Sequence, residues 1–373
     1  MLYFLIKLMA ITAIRTFFNK ISAENVEYIA KDTPIIFTAN HPNTMMDPMI
    51  IGYTCKRKLH FFAKSTLFNN LIAGWFLRRI QIVPVYRKVD DPSKMDQNKE
   101  TFSKGYEILK QNKAFLIFPE GISTGDRKLS QIKTGAARIG FGAEAENDWQ
   151  LGVQIIPVGL NYANAIKFRS DVSTRFGQPI QLTDFRDVYE QNEKEAVHLV
   201  TEQIETALSK LTINLKDLEM QEIVEALERI YKQELAVDLG LETENKADDF
   251  SVTKGLINAV EWYYENEPSK VNEFKGMLNL YQRLLNRLQI KDEFLDPASS
   301  RVTFWERIKA ILYIIIMFPI YLYGLINNVI PYKFPRWYAR HFVQHKAEVA
   351  PWKMLSGTII FLIYYPIEII IFA

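Results

Sequence analysis

Asn40-His41-Pro42-Asn43-Thr44-Met45-Met46-Asp47 places an imidazole and a carboxylate six positions apart in a polar turn. Side chains three or four apart share a helix face and six apart do not, so a loop must fold these two together. In that geometry Asp47 holds one ring nitrogen of His41 while the other removes a proton from a substrate hydroxyl. Such a pair is the base half of a catalytic triad whose nucleophile comes from the substrate. The plain structural alternative is an N-cap aspartate beside a loop histidine. A second stretch, Phe115-Leu116-Ile117-Phe118-Pro119-Glu120-Gly121, reads as a strand delivering Glu and Gly at its C-terminal end. Ligands bind at that end of the strands in open α/β sheets.

The elements that must position these groups are legible in the hydrophobic pattern. Residues 35–38, 60–63, 82–85, 115–118 and 153–160 are short runs rich in Ile, Val and Phe, bounded by Pro, Gly or Asn, and they predict strands. Between them, residues 67–80, 94–111 and 132–146 have helical spacing. The alternation predicts an α/β fold with a mainly parallel sheet and flanking helices. Residues 187–296 read as helical throughout, with a polar break near 242–249.

Composition narrows the function classes. Forty-five basic residues stand against 43 acidic, a net of +2, which gives no support for a nucleic-acid partner. The total conceals an asymmetry: residues 1–88 carry twelve Lys/Arg against four acids, and residues 213–296 carry eighteen acids against ten bases. The basic front suits anionic lipids or anionic substrates. Cys55 is the only cysteine, which excludes an internal disulfide and a Cys-rich metal site and fits a buried small hydrophobe. No glycine-rich phosphate loop or dinucleotide fingerprint is present, so ATP and NAD have no support. His341 and His345 stand four apart, and an interfacial basic helix suits them better than a metal site.

Hydrophobicity is concentrated near the C-terminus. Ala310 to Tyr332 passes 23 residues without a charge, long enough as a helix to cross a bilayer core of about 30 Å. Met354 to Ala373 holds only Glu368 as a formal charge, and the chain stops inside this run, as a fragment would. The basic stretch 333–353 between the runs carries five Lys/Arg and one acid, which predicts retention on the cytosolic side. With the catalytic residues expected on that same side, the two runs are expected to enter the cytosolic leaflet as Pro-bent re-entrant or interfacial segments; two full spans are the competing arrangement. Leu2 to Phe18 is apolar but interrupted by Lys7 and Arg15, which fits a helix in the headgroup layer or one packed on the domain.

Taken with Val83-Pro84-Val85-Tyr86-Arg87 and Ile155-Ile156-Pro157-Val158-Gly159-Leu160-Asn161-Tyr162, the first two motifs form an ordered series. Over roughly residues 30 to 180 that series resembles the glycerolipid acyltransferase family, which moves fatty acyl groups from acyl-thioesters to glycerol-3-phosphate, lysophosphatidate or related acceptors. The resemblance implies that His41 is the base, Asp47 its orienting acid, Glu120 and Gly121 the acceptor-binding pair, and Arg87 a further substrate-binding residue. Three departures stand out. Five residues, rather than the usual four, separate His41 from Asp47, as in a branch that includes glycerol-3-phosphate acyltransferases. Ile122-Ser123-Thr124 replaces a Thr-Arg-Ser, which removes a phosphate-binding arginine, and Gln81 occupies a glycine position. A phosphate dianion beside a carboxylate needs compensating cations. Lys133, in Gln131-Ile132-Lys133-Thr134-Gly135, lies just past the third block and opens a helix, making it the candidate replacement, with Arg127 and Arg169 behind it.

The expectation is therefore a membrane-bound, metal-independent O-acyltransferase with no cofactor. Acyl-CoA or acyl-carrier protein serves as co-substrate, a phosphorylated glycerol is the acceptor, membrane lipids are the partners, and the catalytic domain lies on the cytosolic face. Glycerol-3-phosphate is the first acceptor and 1-acylglycerol-3-phosphate the alternative. A non-catalytic lipid-binding scaffold on the same fold is the third reading. The expected organisation is an N-terminal interface helix over 1–20, a catalytic domain over 21–186, a helical arm over 187–300 and membrane-associated helices over 301–373.

Overall fold

The computed structural model describes residues 2–79, 82–86, 98–215, 217–241, 246–290 and 304–372. They divide into two compact units, Met1–Asn214 with Val343–Met354, and Leu215–Phe342 with Leu355–Ala373.

The first unit is built on an eight-stranded sheet whose strands, in chain order, are β1 (Ile21–Glu24), β2 (Ile35–Ala39), β3 (Leu59–Lys64), β4 (Ile82–Val85), β5 (Ala114–Ile117), β6 (Gln154–Tyr162), β7 (Val172–Phe176) and β8 (Ile180–Gln181). Their order across the sheet is β1-β7-β6-β2-β5-β3-β4, with β8 on β6. β2 runs parallel to both β5 and β6; β3 is parallel to β5 and β4, and only the β6 pairings with β7 and β8 are antiparallel. Helices α1 (Leu2–Phe17), α2 (Met46–Thr54), α3 (Leu71–Arg79), α4 (Asn98–Lys110), α5 (Gly135–Ala145), α6 (Arg186–Gln191) and α7 (Glu193–Leu211) complete this part of the chain.

Successive strand residues point to opposite faces, and the core divides accordingly. Ile35, Phe37 and Ala39 of β2 pack with Ile14 and Phe17 of α1 and with Ile50 and Ile51 of α2. Ile36, Phe115 and Ile155 face the other way, onto Leu109 of α4, Ile139 and Phe141 of α5, and Val200 and Ile204 of α7. Burial on both faces explains why the central strands read as continuous apolar runs. The part of α1 that carries Ile14 and Phe17 is thus a packed helix of the domain.

The unit continues to Asn214, beyond the boundary expected at 186, because the apolar stripe of α7 completes one face of the sheet. Gly159 permits that contact: a Cβ there would lie 2.3 Å from the Leu211 carbonyl oxygen. Asn161 secures it, its amide donating to Leu211 O at 2.9 Å and its carbonyl accepting from Ile213 N at 2.8 Å.

The second unit holds α8 (Gln221–Ile230), α9 (Lys232–Asp238), α10 (Lys246–Asn266), α11 (Pro268–Leu288) and α12 (Phe304–Phe342), with the apolar part of α13 (Val349–Phe372). Val224 and Ala226 of α8 and Val252, Leu256, Ile257 and Val260 of α10 are buried, and Lys232 pairs with Asp249 at 2.8 Å. The helical stretch expected over 187–296 is interrupted at Asn192, at residues 212–215, at Tyr231, at residues 239–241 and at Glu267, where Pro268 opens α11, and α10 begins at Lys246, inside the polar break expected near 242–249; residues 291–296 lie outside those described. Helices α12 and the stretch 346–371 are long and apolar enough to cross a membrane, and most of their large apolar side chains are exposed. At 39 residues, α12 reaches about 58 Å and passes Pro319, Pro331 and Pro335 without a break. The stretch 333–353 is correspondingly not a loop, since α12 carries it to Phe342.

Candidate active site

Three parallel strands end at the site. β2 stops at Ala39, opposite Val158 of β6. The Asn40 side chain then imitates one more ladder rung, donating to Leu160 O at 3.0 Å and accepting from Leu160 N at 2.7 Å. The main chain is thereby free to leave the sheet, and His41 follows. The winding reverses at β2: the chain reaches β5 on one side of it and then crosses to β6 on the other. Crevices at the carboxyl ends of strands at such a point are where open α/β sheets bind ligands.

His41 and Asp47 meet as the sequence requires. His41 Nδ1 lies 2.8 Å from Asp47 Oδ2, with the aspartate fully buried and the histidine side chain 19% exposed. Asp47 sits in the first turn of α2, and Asn43 N donates to its Oδ2 at 2.8 Å, so the loop closes on the carboxylate. Asp47 is therefore not the N-cap of α2, a place taken by Met45, and its carboxylate serves the loop and the histidine. The other oxygen, Oδ1, accepts the Tyr162 hydroxyl at 2.5 Å. Burial, reinforced by the Asp47 charge, holds the Tyr162 phenol well above its usual range, so it remains a donor. With three donors around it, Asp47 fixes the imidazole with Nδ1–H directed inward, leaving Nε2 for proton removal. Phe118, just after β5, stacks on the His41 ring at 3.8 Å between centroids and 11° between planes.

Glu120 is buried, and its oxygens accept His41 N at 2.9 Å and Ser130 N at 2.8 Å. It thus ties the histidine's own backbone to the segment leading into α5. Burial raises its pKa, and the two backbone donors act against that rise. Gly121 follows with φ 71°, a left-handed conformation that suits glycine. The Lys133 ammonium lies over it, so close that a Cβ on residue 121 would sit 2.5 Å from Nζ. Lys133 N also donates to Pro119 O at 2.9 Å, which folds the segment before α5 back on the Glu-Gly turn.

The structure therefore brings together His41, Asp47, Glu120, Gly121 and Lys133. Arg87 and Gln81 lie outside the described residues. Arg127 donates to Ala163 O at 3.1 Å, and Arg169 is exposed, with φ 62°. His341 and His345 do not share a helix, because α12 ends at Phe342. Sequence reasoning gave no role to Tyr162, Asn40 or Phe118. The available signal was position, since all three flank the carboxyl ends of β6, β2 and β5.

The family model Acyltransferase matches residues 20–161. Glycerol-3-phosphate O-acyltransferase 1 of Saccharomyces cerevisiae is 24% identical over 283 residues, covering 71% of this chain and 36% of that protein. The chloroplastic 1-acyl-sn-glycerol-3-phosphate acyltransferase LPAT1 of Arabidopsis thaliana is 28% identical over 159 residues, 42% of this chain and 40% of the relative. The chain thus spans well under half the length of these relatives. A solved 1-acyl-sn-glycerophosphate acyltransferase from Thermotoga maritima aligns over 55% of this chain and 78% of its own, with 21% identity and a TM-score of 0.39.

Proposed function

We propose that this chain belongs to a membrane-bound O-acyltransferase that moves a fatty acyl group from acyl-CoA or acyl-carrier protein to a hydroxyl of glycerol-3-phosphate. The observation that carries the reading is the His41–Asp47 pair at 2.8 Å, placed at the carboxyl ends of the parallel strands and gripped by Tyr162. His41 Nε2 takes the acceptor's hydroxyl proton as the oxygen attacks the thioester carbonyl. Collapse of the tetrahedral intermediate breaks the carbon–sulfur bond, and the imidazolium returns the proton to the departing thiolate. Asp47 supports the transient positive charge and does not itself exchange the proton. No covalent acyl-enzyme and no metal enter the scheme.

Lys133 over Gly121 supplies a cation for the acceptor phosphate, with Arg87 as its expected companion. Glycerol-3-phosphate is the preferred acceptor for two reasons. The His41–Asp47 spacing matches a branch containing enzymes for that substrate, and the match to the yeast glycerol-3-phosphate O-acyltransferase, 283 residues, is longer than the stretch matched by the family model. The 159-residue match to the plant relative keeps 1-acylglycerol-3-phosphate as the second reading. The apolar helices α12 and α13 anchor the protein to lipid, with the catalytic domain facing the cytosol, where thioester donors are found.

Thiol release by the purified chain, offered acyl-CoA with each acceptor in turn, tests the proposal. Release dependent on glycerol-3-phosphate and abolished in His41→Ala is the expected result. Preference for 1-acylglycerol-3-phosphate moves the assignment to the second reading, and no release with any donor or acceptor leaves a lipid-binding scaffold.

A further inference from the structure

The loop between His41 and Asp47 carries a strained residue at its centre. Thr44 has φ 31°, a left-handed conformation that a β-branched side chain adopts only when its surroundings impose it. Two contacts hold it there. Its N–H donates to Ser123 Oγ at 3.1 Å, and its hydroxyl donates to the Ala347 carbonyl at 3.1 Å. Ser123 belongs to the turn that departs from the family's usual Thr-Arg-Ser. Ala347 lies more than three hundred positions away, in the Val343–Met354 segment that packs within the catalytic unit.

That segment is seated by several independent contacts. Ala347 and Ala350 are buried, and Ala350 and Met354 join the core on the α1 and α2 face of the sheet. Gly125, with φ 78°, lets the loop after Glu120 abut it backbone to backbone: a Cβ there would lie 2.9 Å from Ala347 N. Lys346 pairs with Asp126 of the same loop at 3.0 Å. Lys353 donates to Ile166 O at 2.9 Å, next to Ala165, whose carbonyl accepts the Asn43 side chain at 2.8 Å. The segment therefore touches three loops, one holding Thr44, one Gly125 and Asp126, and one Ile166.

We propose that residues 346–354 are a positioning clamp for the longer His–Asp loop, holding Thr44 so that the loop delivers His41 in register with Asp47. The clamp rests on the acyltransferase reading for its catalytic consequence, not for its geometry. It lies between the two apolar runs of the sequence, so the segment that orders the site is continuous on both sides with the helices that engage lipid.

The test uses the full chain in phosphatidylcholine vesicles, with turnover and amide hydrogen exchange of residues 41–47 as separate readouts. Thr44→Val, which removes the donor but keeps the branched shape, should lower kcat about 10- to 100-fold, the scale of a small misplacement of catalytic groups, and leave both Michaelis constants unchanged. Thr44→Ser, which keeps the donor, should recover most of the loss. Lys346→Glu sets a like charge against Asp126 without touching the core; it should speed exchange of residues 41–47 and lower kcat, and adding Asp126→Lys should reverse both effects. Wild-type kcat and wild-type exchange in Thr44→Val and Lys346→Glu would overturn the clamp, as would a kcat loss in Lys346→Glu that the charge swap does not rescue. If the wild-type chain transfers no acyl group, the acyltransferase reading fails by itself, and exchange alone decides the clamp: protection unchanged in both variants refutes it, and protection lost and then restored by the swap upholds it.

Discussion

A carboxylate with three donors around it makes His41 and Asp47 a unit, and the first expectations concern that unit. His41→Ala should cost about 10²- to 10⁴-fold in turnover while leaving the fold intact, because the ring is partly exposed and the backbone N–H that binds Glu120 remains. Wild-type turnover by the variant would refute the mechanism. Tyr162→Phe keeps the ring, which packs beside Phe18 at 5.8 Å between centroids, but leaves Asp47 Oδ1 short of a donor in a buried site. Stability should fall by about 1–3 kcal/mol, the usual cost of an unsatisfied buried acceptor, and kcat should fall with it; denaturant titration and steady-state kinetics read the two effects separately. Glu120 has a pH signature. Its folded pKa is raised, chiefly by burial, so between the usual glutamate value of about 4.3 and the raised value the folded protein holds the proton more tightly than the unfolded chain. Stability attributable to this group is therefore present at low pH and lost as pH rises through that window. Glu120→Gln should flatten that loss in melts run from acid to neutral pH, even as activity drops because an amide N–H then faces one of the two backbone donors.

At the scale of elements, Lys133→Ala tests whether the segment before α5 serves the acceptor. The apparent Michaelis constant for the phosphorylated acceptor should rise more than that for the acyl thioester; unchanged acceptor saturation would make Lys133 a surface lysine that merely covers Gly121. The strands that carry the chemistry were legible because β2, β5 and β6 are buried on both faces and leave uninterrupted apolar runs. β1 and β7 were not, since Ile21–Glu24 and Val172–Phe176 lie toward one edge and mix Ser, Thr, Glu and Arg with their apolar residues. The His41–Asp47 pair was legible from residue type and from a spacing that demands a loop. Tyr162 was hidden because its partner is 115 positions away, a contact made only when β6 lies beside β2. Gly159 and Asn161, quoted as part of a motif, prove to fasten the end of α7 to β6. Thr44 escaped notice because nothing local in Asn43-Thr44-Met45 signals a left-handed residue; Ser123 and Ala347 impose it.

On the scale of the whole molecule, the sequence made the two apolar runs plain but not the form of their junction. Helix α12 is continuous from Phe304 to Phe342, and the basic stretch begins on its last turns. The junction bears on topology. Residues 343–354 belong to the catalytic unit, and the chain also leaves that unit at Asn214, well before α12 starts. A single full crossing by α12 would require the stretch from 215 to 303 to lie across the membrane from the catalytic domain. That stretch has no apolar run of its own to carry it over, and between 213 and 296 it holds eighteen acids. Both ends of α12 are therefore expected on the catalytic side, with the helix immersed in one leaflet or re-entrant, and Lys333, Arg336 and Arg340 beside anionic headgroups. A single cysteine at Gln344, exposed just beyond the end of α12, reports the side directly. The background is Cys55→Ser, where the buried sulfur already faces the Arg57 carbonyl and a hydroxyl finds an acceptor. A membrane-impermeant maleimide should label this variant only after the cells are opened; labelling of intact cells would place the junction outside and require two full crossings.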